Sequence, residues 1–281
     1  MTQVIEAMEG MTFGCDPELF VVDSDGKTVC ADGLIPGTKD EPFKVDCGAV
    51  QVDGVAAEFN INPARTFEEF NHNIRTVVGE LKSLLPKGYN LSASPSNRFS
   101  DEDWAQVPEH AKVLGCSPDF NAWTGGVNKV ADFTEVPVRF TGGHLHVGWT
   151  EDVDTTDLQH ISSCRDLVKQ FDWYLGAWSA RKNSGDVGER ERRNAYGRAG
   201  AMRFKPYGVE YRVLSSFWVE RGEDRLEVWN RMQKAIWDMR EQYMPDFGDA
   251  FCMNTTLINS INESKADSAM SRKFKFPVVS L

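Results

Sequence analysis

Residues 14–22 read Gly-Cys-Asp-Pro-Glu-Leu-Phe-Val-Val. From Pro17 the run is apolar and rich in strand-forming residues, and Asp23-Ser24-Asp25-Gly26 behind it has turn composition. The pattern predicts a strand over 17–22 and a returning strand over 27–30. At the head of that strand Asp16 and Glu18 flank Pro17. Side chains two apart on a strand share a face. Two neighbouring carboxylates repel, and burying them unpaired is costly. A divalent cation resolves both problems, and Mg²⁺ suits an oxygen-rich site beside phosphates. A solvated strand edge is the plain alternative.

Working outward, residues 31–48 are rich in Gly, Pro and Asp and read as loop; with Lys39 they are a candidate lid or recognition segment. Residues 49–60, AVQVDGVAAEFN, form a second β region interrupted by Gly54. Glu58 is its lone acid from Val55 onward, a candidate for a metal or a substrate amine, or else an outward-facing strand residue. Asn60 and Asn62 extend the same face. Thr66 and Glu69 form a capping box. Phe67, Phe70, Ile74, Val77, Val78, Leu81, Leu84 and Leu85 then recur at helical spacing until Pro86 and Gly88 stop the helix.

Residues 92–133 form a long irregular stretch, of the kind that recognises substrate or folds over a site. Strand character returns over 136–149, VPVRFTGGHLHVGW. There His144 and His146 share one side between glycines that permit close approach of a backbone or ligand. An imidazole can ligate a metal or bond a phosphate; one core and one solvent-facing histidine is the alternative. Further helices are predicted over about 157–180 and 223–243, and a strand over 207–214. Strands and helices mix without a βαβ alternation. The expected class is therefore α+β, a mainly antiparallel sheet with helices packed on one face, in a single domain of 281 residues.

The chain carries 31 Lys plus Arg and 42 Asp plus Glu, a net charge of −11. That balance argues against a general nucleic-acid coat, and no apolar run is long enough for a membrane span. The start of the chain lacks the pattern of a signal peptide. Six scattered cysteines without a CxxC pair suit reduced thiols in a cytoplasm. The charge is unevenly spread. Residues 181–212 hold nine cations and four acids, net +5, against −16 elsewhere. The nine, Arg181, Lys182, Arg190, Arg192, Arg193, Arg198, Arg203, Lys205 and Arg212, are candidate polyphosphate ligands, interleaved with Tyr196, Gly197, Gly200, Phe204 and Tyr207; a solvated charge run is the alternative. Glu210 and Arg212 repeat the two-apart spacing, fitting a cation and a phosphate or simply each other. Carboxylates, imidazole and arginines on four segments fit metal-assisted phosphoryl transfer. Neither a P-loop nor a Rossmann fingerprint occurs.

Four motifs occur in order: Gly14-Cys15-Asp16-Pro17-Glu18, Glu58-Phe59-Asn60, Gly143-His144-Leu145-His146-Val147-Gly148 and Gly208-Val209-Glu210-Tyr211-Arg212. Together they resemble the phage-type COOH–NH2 ligases, or amidoligases, of the glutamine synthetase and glutamate–cysteine ligase superfamily, over about residues 13–218. The resemblance implies a curved antiparallel sheet of glutamine synthetase type with helices on its outer face, a helical part after residue 218, and ATP with two or more Mg²⁺ ions, or Mn²⁺. By that resemblance Asp16, Glu18, Glu58, His144 and Glu210 are metal ligands. His144, His146, Arg198, Arg203, Lys205 and Arg212 would hold the nucleotide, and Glu58, Arg203, Glu210 and Arg212 would act in catalysis. Family members commonly carry Glu where this chain has Asp16, a shorter ligand. The implied reaction joins a small-molecule or peptide carboxylate to an amine through an acyl phosphate, releasing ADP and phosphate. The location expected is the cytoplasm, that of the host for a phage protein, and self-association fits the superfamily. The alternatives are a carboxylate or guanidino phosphotransferase, and a non-catalytic nucleotide-binding phage protein.

Overall fold

The computed structural model describes residues 10–112, 119–129, 136–241 and 250–266, the last segment in its side chains from residue 254. The strands are β1 (Thr12–Cys15), β2 (Glu18–Val22), β3 (Thr28–Val29), β4 (Phe43–Val45), β5 (Gly48–Asp53), β6 (Ala56–Ile61), β7 (Asn90–Ser92), β8 (Ser96–Arg98), β9 (Phe120–Asn121), β10 (Val138–Phe140), β11 (Leu145–Gly148), β12 (Ala201–Lys205) and β13 (Gly208–Tyr211). The helices are α1 (Phe67–Leu84), α2 (Asp101–Gln106), α3 (Glu109–Lys112), α4 (Leu158–Phe171), α5 (Ala177–Lys182), α6 (Val187–Ala195), α7 (Gly222–Arg240) and α8 (Ala250–Asn262).

The class is α+β, and every strand pairing among the described residues is antiparallel. One sheet runs β1-β11-β13-β12-β9; a second runs β3-β2-β6-β5-β4, with β7 also on β2; β10 and β8 form a short ribbon. The chain passes from the first sheet to the second at Asp16-Pro17-Glu18. Pro17 has no N–H to give to a ladder, so pairing stops there. Its carbonyl accepts from Phe59 N at 3.1 Å, and Glu18 N donates to Gly142 O at 2.8 Å. Two acids two residues apart thus sit at the seam between sheets.

Helix α1 follows its sequence signals closely. Thr66 accepts from Glu69 N at 3.2 Å, while the Glu69 carboxylate accepts from Arg65 N at 2.7 Å. Phe70, Ile74, Val77 and Leu81 are buried, and the helix packs on β5 and β6. Helix α4 covers β12 and β13, and α7 packs against α4 and α1. An aromatic group ties these layers: Phe13 and Trp229 at 5.0 Å, Phe70 and Trp229 at 5.4 Å, and Phe70 stacked on Trp218 at 6.2 Å. Each such pair adds about 1 kcal/mol beyond the area it buries. The loop over 31–48 is largely pinned: Val52 N donates to Gly37 O, Ala31 N donates to Val55 O, and β4 pairs with β5.

Several expectations change. The strand over 136–149 divides into β10 and β11, which lie in different sheets, the loop over 31–48 contains β4, and the described part of 92–133 contains β8, α2, α3 and β9. The helix over 157–180 is not a uniform α-helix: a π turn, Asp172–Gly176, separates α4 from α5. It carries the buried Asp172, whose carboxylate accepts from Trp123 Nε1 at 2.6 Å and Tyr211 Oη at 2.9 Å. Burial pushes its pKa up to about 7 against those bonds. The basic stretch after residue 180 contains α6, capped by Asp186, and much of its charge is internal. Arg192 is fully buried and donates to the carbonyls of Thr141, Val213, Leu214 and Arg212. Arg193 is fully buried as well, bonded to Ser179, Gly197, Val213 and Ser264, with Glu189 at 3.7 Å. These two arginines satisfy backbone carbonyls that leave the sheet.

Arg192→Met should therefore lower the unfolding free energy by about 3 kcal/mol, since several buried carbonyls lose a charged donor together. Chemical denaturation measures this, and a loss below about 1 kcal/mol would contradict the assigned role.

Candidate active site

Strand pairing assembles the site in one row. Gly14 of β1 lies opposite His146 of β11, His146 opposite Glu210 of β13, and Glu210 opposite Arg203 of β12. Directly opposed residues in an antiparallel ladder share a face, so the row presents imidazole, carboxylate and guanidinium side by side. Asp16, just past β1, closes it: its Oδ1 is 2.9 Å from His146 Nε2 and 3.5 Å from His144 Nδ1. His144 Nδ1 is 3.6 Å from Glu210 Oε1. Both histidines thus reach the carboxylates. Ligand atoms of Asp16, His146 and Glu210 lie within 4.8 Å of one another.

A second acidic group stands on the other sheet. Glu18 of β2 and Gln51 of β5 both face Glu58 of β6, on its two sides. Asp53, two residues beyond Gln51, brings a third carboxylate, and oxygens of Glu18, Asp53 and Glu58 again lie within 4.8 Å of one another. Glu18 Oε2 accepts from Gly142 N at 2.7 Å and from Tyr196 Oη at 3.0 Å. The glycines of the GGH motif have steric reasons. A Cβ on Gly142 would collide with the His144 ring, and one on Gly143 with Ser215 O and Trp218 Nε1.

The two groups are balanced differently. At Asp16 burial alone would raise the carboxyl pKa, but the charges of His146 and then His144 hold it well below the usual range. Burial likewise acts to lower His146, yet Asp16 and Glu210 hold it up. Burial and the Asp16 charge act to raise Glu210, and Arg212, His146 and His144 bring it down. Lys205 Nζ is 2.8 Å from Glu210 Oε2, and Arg203 Nη1 is 3.8 Å from Oε1. Glu58 has no such help. Burial first, then the charges of Asp16, Asp53 and Glu18, push it well above the ordinary glutamate value. Glu18 is also raised, mainly by burial.

The donor set fits divalent cations. Asp16 Oδ1 and His146 Nε2 are buried without a well-formed hydrogen bond, and with Glu210 they offer carboxylate oxygens and one imidazole nitrogen. The five acids and histidines expected as ligands separate into two groups. Asp16 and Glu210 join His146 in one, Glu18 and Glu58 join Asp53 in the other, and His144 stands behind the first.

A cavity of about 430 Å³ opens beside both groups, lined by Asp16, Gln51, Glu58, Asn60, His146 and Tyr207 among others. Tyr207 Oη bonds His146 Nδ1, which aims Nε2 at Asp16. The cations differ in access. Arg203 and Lys205 are 21% and 29% exposed and so open to a phosphate. Arg212 is buried, held by Asp119 Oδ1 at 2.6 Å, by Glu210 and by His144 Nδ1 at 3.2 Å. It orients Glu210 instead of meeting solvent. Arg198 is exposed on the turn before β12, and its carbonyl accepts from Ala201 N. Asp53 and Asp119 escaped the sequence reading, and Tyr196 and Tyr207 entered it only as aromatics interleaved with the cations. Asp53 had a usable signal, its two-apart spacing with Gln51 on a strand. The cysteines among the described side chains, Cys15, Cys30, Cys47 and Cys164, are free. No described helix is long and apolar enough to cross a membrane.

Residues 122–226 match the family model of the phage phiEco32-like COOH.NH2 ligases, type 2. The resemblance drawn from the motifs is borne out over that segment, which contains His144, His146, Arg203, Lys205, Glu210 and Arg212. It supports a carbon–nitrogen ligase that joins a carboxylate to an amine. The first-strand acids, Asp53 and Glu58 lie outside it. A solved structure, a bifunctional glutathione synthetase from Pasteurella multocida, is similar at a TM-score of 0.40 and 11% identity, over 96% of this chain and 47% of that one. The chain thus spans about half the length of that structure. No curated protein matches it.

The raised pKa of Glu58 has a testable sign. The folded state keeps a proton that the unfolded state releases near 4.5, so this group's contribution to stability falls as pH rises above that value. In a chelator the melting temperature of the wild type should decline relative to Glu58→Gln between about pH 5 and pH 8. Mg²⁺ should raise the wild type more than the variant. Parallel pH curves for the two proteins would refute the assignment.

Proposed function

We propose that the chain is an ATP-dependent carboxylate–amine ligase working through an acyl phosphate, with residues 1–281 acting as one catalytic unit. The observation that carries this reading is the pair of carboxylate groups joined through Asp16-Pro17-Glu18 and flanked on one side by Arg203 and Lys205. Phosphoryl transfer asks for clustered acids that hold cations next to side chains that neutralise phosphate oxygens. The family match over 122–226 supports the ligase class.

A carboxylate is a poor acyl donor because its leaving group would be oxide; phosphorylation supplies a better one. The substrate carboxylate attacks the γ-phosphorus of ATP, and ADP leaves with the electrons of the broken bond. Arg203 and Lys205 offset charge on the transferring phosphoryl group. Asp16, His146 and Glu210 would hold one Mg²⁺ and Glu18, Asp53 and Glu58 another. Bound there, the ions would screen the phosphate charges and orient the displacement. Arg212 fixes Glu210 through a bond to each of two acids. The amine then attacks the activated carbonyl, phosphate departs, and an amide or isopeptide bond remains. Glu58 lines the cavity, and an acid near the amine accepts its proton. The substrates we propose are a small-molecule or peptide carboxylate and an amine.

Incubation with ATP, Mg²⁺, a candidate carboxylate and an amine should release ADP and phosphate in step with amide formation. AMP as product would refute the acyl-phosphate route, and ADP formation without amine incorporation would favour a phosphotransferase. Glu210→Gln should lower kcat by about a hundredfold or more while leaving the circular dichroism spectrum unchanged.

A further inference from the structure

A second cavity, about 500 Å³, lies outside the carboxylate site. Its size falls within the ~300–1,000 Å³ of small-molecule sites. Leu19 of β2 forms part of its floor, on the strand face opposite Glu18. Ile74 and Val78 of α1, Leu91 and Ala93 after the α1 turn, and Val219 before α7 complete an apolar lining.

The polar lining is mostly cationic. Arg75, Lys82 and Arg225 face this space, and Glu220 is the acid among them. Glu220 Oε1 already accepts from Ala93 N at 3.2 Å, and Asp224, adjacent in sequence to Arg225, pairs with Lys182. Arg225 is nearly buried, its guanidinium held by Asn71 Oδ1 at 2.7 Å and by Val219 O. Burial, then the charge of Arg75, lowers its pKa, with the charge of Asp224 acting the other way. Arg75, Gly79 and Lys82 stand at i, i+4 and i+7, one helix face. Gly79 costs α1 about 1 kcal/mol relative to Ala, yet a Cβ there would meet nothing within 4 Å. The face therefore reads cation, gap, cation above an apolar floor.

We propose that this cleft binds a small organic anion, its carboxylate held by Arg75, Lys82 and Arg225 and its hydrocarbon body laid over Leu19, Ile74, Val78 and Leu91. A bare phosphate would leave the apolar floor unused, and a neutral hydrocarbon would leave the excess of cations in the lining unanswered. The cleft shares its wall with the active-site frame. Leu19 follows Glu18, and the short 3₁₀ turn Ser216–Val219 ends at the cleft while Ser216 Oγ donates to Glu18 O and Gly142 O. The inference stands independently of the ligase reading.

The probe is 3-phenylpropanoate, titrated into the full chain by calorimetry and by NMR of labelled Arg and Lys side chains. Its neutral amide and inorganic phosphate serve as comparisons. The anion should bind at least about tenfold more tightly than either comparison, the difference a charge-assisted bond to arginine supplies. The surface double variant Arg75→Gln/Lys82→Gln should remove that preference, and Gly79→Leu, which fills the gap, should weaken the anion without changing the melting temperature greatly. Equal affinity for acid and amide, phosphate binding as well as the probe, unchanged binding in the double variant, or no binding to the wild type would each overturn the proposal.

Discussion

Glu18 and Glu58 face each other directly across two antiparallel strands, with Asp53 beside them and Asp16 at the seam. Like charges opposed in a ladder are destabilising, and the surrounding structure is arranged around that strain. The compensation is unequal. Asp16 and Glu210 are met by His146, Arg212, Lys205 and Arg203. Glu18 leans on one N–H and one hydroxyl. Glu58 meets only burial and the charges of other acids, which push its pKa up. The chain's own cations offset the first group, so the proposed Mg²⁺ would matter most at the second.

The scaffold exists to hold this crowding in place. Pro17 ends one sheet and begins the other, which puts two acids on adjoining sheets within one tripeptide. Gly142 and Gly143 let the His144 segment pass close under Ser215 and Trp218. Behind them the aromatic group of Phe13, Phe70, Trp218 and Trp229 and the buried guanidinium of Arg192 fix the strand ends. A loop-borne cluster of acids would drift apart under its own repulsion; strands packed on α1 and α4 cannot.

The legible part of the site was that carried by period-two spacing. Asp16 with Glu18, His144 with His146 and Glu210 with Arg212 each announce a shared face, and the order of the motifs carries the ligase resemblance. The capping box at Thr66 and the apolar stripe of α1 were equally readable, because helix signals are local. Arg192 and Arg193 were misread with the phosphate cations, since charge counts cannot tell a solvated guanidinium from one enclosed by carbonyls. The π turn at Asp172 also escaped, because its neighbours have ordinary helical periodicity.

What the amino-acid sequence determined alone was the class of chemistry: which side chains share a face, that they are acids, imidazoles and arginines, and that they ride on strands. Those properties depend on residues one to four positions apart. The tertiary structure decided how the acids divide, with His146 and not His144 completing one group and Asp53 completing the other. It also decided that Arg203 and Lys205 are reachable while Arg212 is enclosed. Such assignments turn on strand register and burial, which bring together residues as distant as Asp16 and Glu210, and no local pattern encodes the distance between them.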